Sequence, residues 1–403
     1  MVAWRKPVWE RFSAAEMARR TALARALMLE RDLRALVVFG TSANNGAAMA
    51  NAFWLSNHLD LHHCYLVLPL DEGHEPALYV GLRNHAPNAR EVSDLPRIEW
   101  GGRDAARTVA GRLRELGIER GAVGLVGINA TFGIGMPYLH YLRLREALPR
   151  VEFADVTARF QRLRAVKSEE EIARLRKAAA LTDEAMLAIA ERARPGTSEI
   201  ELVAAAESAY RSEGAIPRIT FLRSMAMDDP NGCVPAQLAS RRRLRAGDVI
   251  ITEVSASYCG YAGQVHRPVF LDSEPAGEWR RLFDSAKAAY LAMAEAMRPG
   301  ASEADIIAAA DPIRQAGYDI YDDLIHGYGA DILPPLIDRG RFRSPPQGGG
   351  DRFERDMAIV IQPNPITPDE RMGLQLGALT VVTAASAQSL HRVPLEPLIA
   401  SSG

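Results

Sequence analysis

What this 403-residue chain has least of is cysteine, net charge and long apolar runs. Its three cysteines, Cys64, Cys233 and Cys259, are too few and too scattered for a disulfide framework or a thiolate zinc site. That sparing use fits a reducing compartment. Lys and Arg total 48 against 50 Asp and Glu, a net charge of −2. A dedicated duplex binder would carry a basic excess, so no nucleic-acid partner is expected. The one basic cluster, Arg241, Arg242, Arg243 and Arg245, reads as a solvated turn before a strand. No stretch approaches 18 uncharged apolar residues, so no membrane span is expected. The start, Met1 to Pro7, lacks the apolar core of a signal peptide. These absences point to a cytoplasmic protein.

The residues that are present describe a folded protein. Hydrophobic residues make up 48% and charged residues 24%, which places the chain with ordinary globular domains, and its length suggests two or three of them. The first third alternates helix and strand signals. Residues 14–30 have apolar residues at helical spacing, and Leu36–Phe39, Cys64–Leu68, Ala77–Val80 and Val123–Gly127 are short apolar strands. Helices are expected at 104–116 and 136–147. This is an α/β layer domain. Gly124-x-x-Gly127 is too sparse for a dinucleotide fingerprint. From about residue 158 the pattern changes to long charged helices. One starts at Ser168 with three glutamates in its first turn, and Ser198 with Glu201 forms a capping box. An internal echo follows: Arg194-Pro195-Gly196-Thr197-Ser198-Glu199 is matched by Arg298-Pro299-Gly300-Ala301-Ser302-Glu303. Two copies imply a pseudo-twofold α+β unit, too few for a solenoid. The expected domains are 1–160 and 161–403.

Several segments in order carry a family resemblance. They are Leu163 to Ile172 leading into the first long helix, Arg194-Pro195-Gly196 with Ser198-Glu199, Arg245 to Ile250 opening a strand, Gly260-Tyr261 closing a hairpin, Ile325-His326-Gly327-Tyr328-Gly329, and Ile361-Gln362-Pro363-Asn364. The chain resembles the creatinase, prolidase and aminopeptidase P family. The resemblance implies an α+β pita-bread catalytic-type domain with a pseudo-twofold repeat, preceded by a smaller α/β creatinase-type domain. It also implies a homodimer. The family's metallopeptidases hold two metal ions with two Asp, one His and two Glu. Those positions here are Glu253, Gln264, His326, Gln362 and one near Gly377. One carboxylate and one imidazole remain of five ligands, so neither a metal nor another cofactor is expected, since hard cations need anionic oxygens. Creatinase, the metal-free member, uses a further His, and that position is Ala236 here. The resemblance therefore implies the fold and the place of the pocket but not the reaction.

Alternation puts Glu253 and Ser255 on one strand face and Gln264 and His266 on one face of the return strand. His266 is the candidate general acid/base, oriented by Glu253, and His326 approaches from the other side. Gln264, Gln362, Tyr258 and Tyr328 are candidate substrate contacts, because a carboxamide both donates and accepts. Each has a plain structural reading too: a hydrogen-bonded wall, a paired strand carboxylate, or neutral filler of an abandoned metal cage. Arg267 and Cys259 read as structural. Arg339, Arg341 and Arg343 form either a solvated loop or an attractor for an anionic group, beside a flexible Gly348-Gly349-Gly350 rim. His58, His62 and His63 precede a strand, which argues against a helical metal pair. By resemblance, His62 or His63 reaches a partner's site.

The leading expectation is a metal-independent hydrolase of a C–N bond in a small amide, ureido or guanidino compound. The residues leave open a non-catalytic ligand-binding protein, a metallo-aminopeptidase or prolidase of the Xaa-Pro type, and a lyase acting by proton abstraction.

Overall fold

The computed structural model describes residues 11–43, 45–128, 135–346 and 350–401. The Met1–Pro7 start and Gly348 and Gly349 of the expected glycine rim lie outside the described residues. The chain divides into two compact units, Met1–Arg164 and Ala165–Gly403. Residue 160 lies inside a helix, Thr157–Ala165. Among the described residues, no helix is long and apolar enough to cross a membrane.

The first unit is a six-stranded sheet. Its strands are β1 (Leu33–Thr41), β2 (His63–Pro69), β3 (Ala77–Val80), β4 (Arg97–Trp100), β5 (Gly121–Val126) and β6 (Val151–Asp155), in the order β4-β3-β2-β1-β5-β6. β2 is antiparallel to both neighbours, and the other pairings are parallel. Near-continuous runs such as Ala35 to Phe39 are buried because helices cover the sheet. β1 is where the strand order reverses, and the carboxyl ends of the parallel strands share one edge with the start of β2.

The second unit holds β7 (Ile216–Ala226), β8 (Asp248–Tyr258), β9 (Tyr261–Ala262), β10 (Val265–His266), β11 (Val269–Leu271), β12 (Asp319–Ile320), β13 (Asp323–Tyr328), β14 (Ile332–Asp338), β15 (Ala358–Ile361), β16 (Pro365–Ile366), β17 (Gly377–Val382), β18 (Ala387–Ser389) and β19 (Leu398–Ala400). The sheet runs β14-β13-β15-β17-β10-β8-β11-β19. β7 and β9 also pair with β8, β18 pairs with β17, and β12 and β16 form a separate ribbon. β8 and β9 are joined through Cys259 (φ 50°) and Gly260 (φ 82°). Two consecutive left-handed residues match the strand twist of a tight hairpin.

The echo in the sequence is an echo in the structure. Both Ser198 and Ser302 form capping boxes, with Glu201 and Asp305. The Gly196 N–H donates to the Leu244 carbonyl at 2.8 Å, and the Gly300 N–H to the Phe353 carbonyl at 2.9 Å. The helices Glu169–Arg192 and Glu199–Arg211 cover one half of the sheet with Leu181, Ile189, Leu202, Val254 and Val265. The helix Gly277–Ala296 covers the other with Leu282, Phe283, Ile325 and Ile361. The helices of both halves lie on apolar residues of the strands, which leaves the residues at alternate positions on the opposite face of the sheet.

Candidate active site

Five adjacent strands supply the polar cluster. Moving across the sheet, β13 carries His326, the end of β15 leads into Gln362, β17 begins at Gly377, β10 carries His266 with Gln264 just before it, and β8 carries Glu253. The register brings them level. His266 lies opposite Gly377, Val265 opposite both Ala378 and Val254, and His326 opposite Val360. Residues distant in sequence thus meet because consecutive ladders fix their height.

The hydrogen bonds centre on Gln264. Its Nε2 donates to Glu253 Oε1 at 2.9 Å, approaches His266 Nε2 at 3.1 Å and donates to Gln362 Oε1 at 3.4 Å. Gln362 Nε2 in turn donates to Asp323 Oδ1 at 2.7 Å. Tyr328 stacks edge-on to His326, with ring centres 5.3 Å apart, and its hydroxyl meets Ser255 Oγ at 3.1 Å. Within this cluster, three buried polar atoms have no hydrogen-bond partner among the described residues: Gln264 Oε1, His266 Nδ1 and Asp323 Oδ2. Orphaned buried atoms are costly, and these three leave the cluster with bonding capacity for a polar group.

Electrostatics set the protonation of the cluster. His266 is fully buried, and burial pushes it down to about 3, helped by the nearby His326 and Arg267. Burial likewise holds His326 down at about 4, against the opposing bonds to the Gly327 carbonyl and Gln362. Both imidazoles are neutral at pH 7. Glu253 keeps part of its surface accessible but lies deep among protein atoms. Burial, then repulsion from Asp322, pushes its carboxyl up to about 7. Burial and the charges of Asp322 and Glu253 hold Asp323 well above the usual carboxylate range.

The expected residues fall into three groups. Glu253, Gln264, His266, His326, Gln362 and Tyr328 are brought together. Tyr258 is not. It is an odd number of residues from Glu253 (258 − 253 = 5), so it faces the other side of β8, where it packs on the Val254 and Ala256 cluster near Lys177. The expectation of substrate contact there is corrected. Direct orientation of His266 by Glu253 is also corrected, because the Gln264 carboxamide stands between the two. Arg267 is structural: its guanidinium donates to the carbonyls of His266 at 2.6 Å, Gly377 at 2.7 Å and Pro394 at 2.7 Å. Arg341 is paired with buried Glu303, and Arg339 and Arg343 with Asp319, so the loop arginines hold their own loop rather than an incoming anion.

Sequence reasoning missed Asp323. Regular alternation would turn residue 323 away from the face of 326, but the β13–β14 register shifts between Asp323 and Ile325. That irregularity rotates Asp323 toward Gln362. The clustered Asp322-Asp323 just before the histidine segment is the only signal in the sequence.

The residues do not fit a two-metal cage. Two of the five ligand positions are carboxamides whose nitrogens donate to neighbouring carboxyls. A fifth ligand has no room: a Cβ on Gly377 would lie 2.6 Å from the Ile361 carbonyl oxygen and 3.0 Å from Gln362 Cα. Among the described residues no group of three or more His, Cys, Asp or Glu side chains could hold a metal ion.

Comparison with known proteins places this geometry. Residues 173–384 match the model of metallopeptidase family M24, and residues 20–166 match the creatinase/prolidase N-terminal domain. The probable dipeptidase PepE of Mycobacterium bovis is 28% identical, over 96% of this chain and 98% of that protein. The Xaa-Pro dipeptidase of Pyrococcus furiosus is 26% identical, over 87% of this chain and 94% of that protein. The crystal structure of dipeptidase PepE from Mycobacterium ulcerans superposes with a TM-score of 0.77 at 25% identity, covering 97% of this chain and all (100%) of that one.

Proposed function

The chain belongs to metallopeptidase family M24, and from that membership we propose that it is a hydrolase that cleaves the C–N bond of a small amide, ureido or guanidino compound without a metal ion. The observation that carries the proposal is the exchange of carboxylates for carboxamides at the centre of the cluster, with Gln264 donating to Glu253 and Gln362 to Asp323. Cations are poorly served by such a wall, whereas an amide-like substrate can both donate to and accept from it.

Glu253 is the general acid/base of this proposal, and His266 takes the positioning role that the sequence suggested for Glu253. A proton-transfer group works best when its pKa lies near the working pH. Glu253, at about 7, meets that condition, and it keeps access to solvent, whereas His266, His326 and Asp323 are buried. In the reaction, Glu253 takes a proton from water as the water oxygen bonds to the substrate carbon. The same proton passes to the leaving nitrogen as the C–N bond breaks. Gln264 Oε1 and neutral His266 Nδ1 hold the substrate's polar atoms, while Gln362 and His326 close the opposite side. We further read the protein as cytoplasmic, from its sparse cysteines, and as a homodimer, following the resemblance, and light scattering that finds a monomer would overturn the dimer.

The test is a hydrolysis screen of amides, ureides, guanidino acids and Xaa-Pro dipeptides with chelator-treated protein. Turnover of a member of the first three groups that Glu253→Gln abolishes supports the proposal. Turnover confined to Xaa-Pro dipeptides and dependent on added Mn²⁺ would overturn it.

A further inference from the structure

A second cluster of imidazoles lies in the first unit, with no part in the chemistry above. His58, His62, His63, His85 and His140 gather at the sheet edge where β1 ends and β2 begins, which is where ligands collect on open α/β sheets. At its centre is Asp60, whose side chain is fully buried. Asp60 Oδ1 accepts from His85 Nδ1 at 2.7 Å and from the His62 N–H at 3.0 Å, and its Oδ2 lies 3.5 Å from His58 Nε2.

We propose that His62 and His85 form a binding site for a borderline divalent transition metal ion such as Cu²⁺, Ni²⁺ or Zn²⁺, with Asp60 orienting His85. Three observations support the assignment. First, the carboxylate of Asp60 accepts a hydrogen bond from the Nδ1–H of His85, so in the neutral ring the lone pair is at Nε2, away from Asp60. A carboxylate behind a histidine is the arrangement that orients and strengthens imidazole ligands. Second, the rings of His62 and His85 are 5.6 Å apart. Two imidazoles bound to one tetrahedral ion through ~2.0–2.1 Å bonds place their ring centres about 5 to 5.5 Å apart, so a small side-chain adjustment brings this pair to a shared ion. Third, His62 is pinned in place. A Cβ on Gly81 would lie 2.7 Å from the His62 Cβ and 2.6 Å from the His63 carbonyl oxygen, so the bare glycine is what lets this segment pack. His62 is exposed and His85 half-buried, so an ion can reach both. Among the described residues no third ligand of the His, Cys, Asp or Glu type joins them. Water completes the shell, and the ion exchanges. Imidazole pairs select copper, nickel and zinc over magnesium.

The neighbouring pair, His63 and His140, with rings 5.8 Å apart, supplies the control. The Tyr65 hydroxyl contacts His140 Nδ1 at 2.8 Å, where His85 has a carboxylate.

The experiment titrates the full-length protein with Cu²⁺ alone, followed by electron paramagnetic resonance and calorimetry. The proposal expects one ion per chain with nitrogen splitting from imidazole. Affinity should fall at least about 10-fold in His85→Ala and in His62→Ala, and roughly 10–100-fold in Asp60→Asn. His140→Ala should bind as the parent does. Circular dichroism confirms that each variant is folded. Binding unchanged in His62→Ala and His85→Ala, or lost only in His266→Ala or His326→Ala, would overturn the proposal. None of these outcomes depends on hydrolysis, so this site and the proposed reaction fail separately.

Discussion

The two histidine–carboxylate clusters of this protein are built from the same residue types and shift their carboxyls in opposite directions. In the first unit Asp60 touches its imidazoles directly. Burial alone would raise its pKa, but hydrogen bonds from His85 and the His62 N–H, with the His58 ring close by, hold it well below the usual carboxylate range. In the second unit a carboxamide separates Glu253 from His266, burial outweighs the bond that Gln264 donates to Glu253 and the bond between His266 and Asn364, and the carboxyl rises to about 7 while the imidazole falls to about 3. A carboxylate in contact with histidine is fixed as an anion that orients a ring. Set one amide away, it becomes a group that can gain or lose a proton near neutrality.

The contrast can be broken from either side. The largest effect is expected from Glu253→Gln, which removes the titrating group and should lower turnover by roughly 10²- to 10⁴-fold, read by steady-state kinetics on an identified substrate. In the first unit, Asp60→Asn leaves its histidines without their charged acceptor and should cost about 3 kcal/mol, measured by urea unfolding. The sign of its pH dependence is fixed. A depressed carboxylate pKa contributes stability above its unfolded value, which is lost as pH falls toward the folded one, so the parent and Asp60→Asn should converge in acid. A smaller change, Gly377→Ala, forces a methyl against the Ile361 carbonyl and Gln362 backbone, and overpacking of this kind costs about 1–3 kcal/mol. The smallest is a shift rather than a loss. Asp322→Asn removes the like charge that helps raise Glu253, so the rising limb of the turnover profile should move to lower pH, which a pH–rate series would detect.

The two clusters were not equally legible in the sequence. Period-2 alternation holds through β8 and β10, and so it placed Glu253, Gln264 and His266 together without any structure. The same rule excludes Tyr258, whose odd separation from Glu253 outweighs its closeness in sequence. Asp323 escaped because the β13–β14 register shift breaks alternation where it matters. The fold was readable from the repeated Pro-Gly capping segments, since local caps depend on local residues. Ionisation was not, because it depends on whether Gln264 or a carboxylate lies next to an imidazole, and contacts across five strands leave no local trace. Asp60 shows the same limit. Its neighbours His58 and His62 were visible, but His85 arrives from 25 residues away.

The central claim is that the second unit works through a titrating carboxyl rather than a pair of ions. Its most direct test is elemental analysis of His62→Ala/His85→Ala protein, stripped with chelator, incubated with Mn²⁺ and passed through a desalting column, with turnover measured on the same sample. The account predicts no stoichiometric Mn²⁺ and turnover unchanged by the chelator. Retention of about two Mn²⁺ ions per chain, with turnover that requires them, would contradict it.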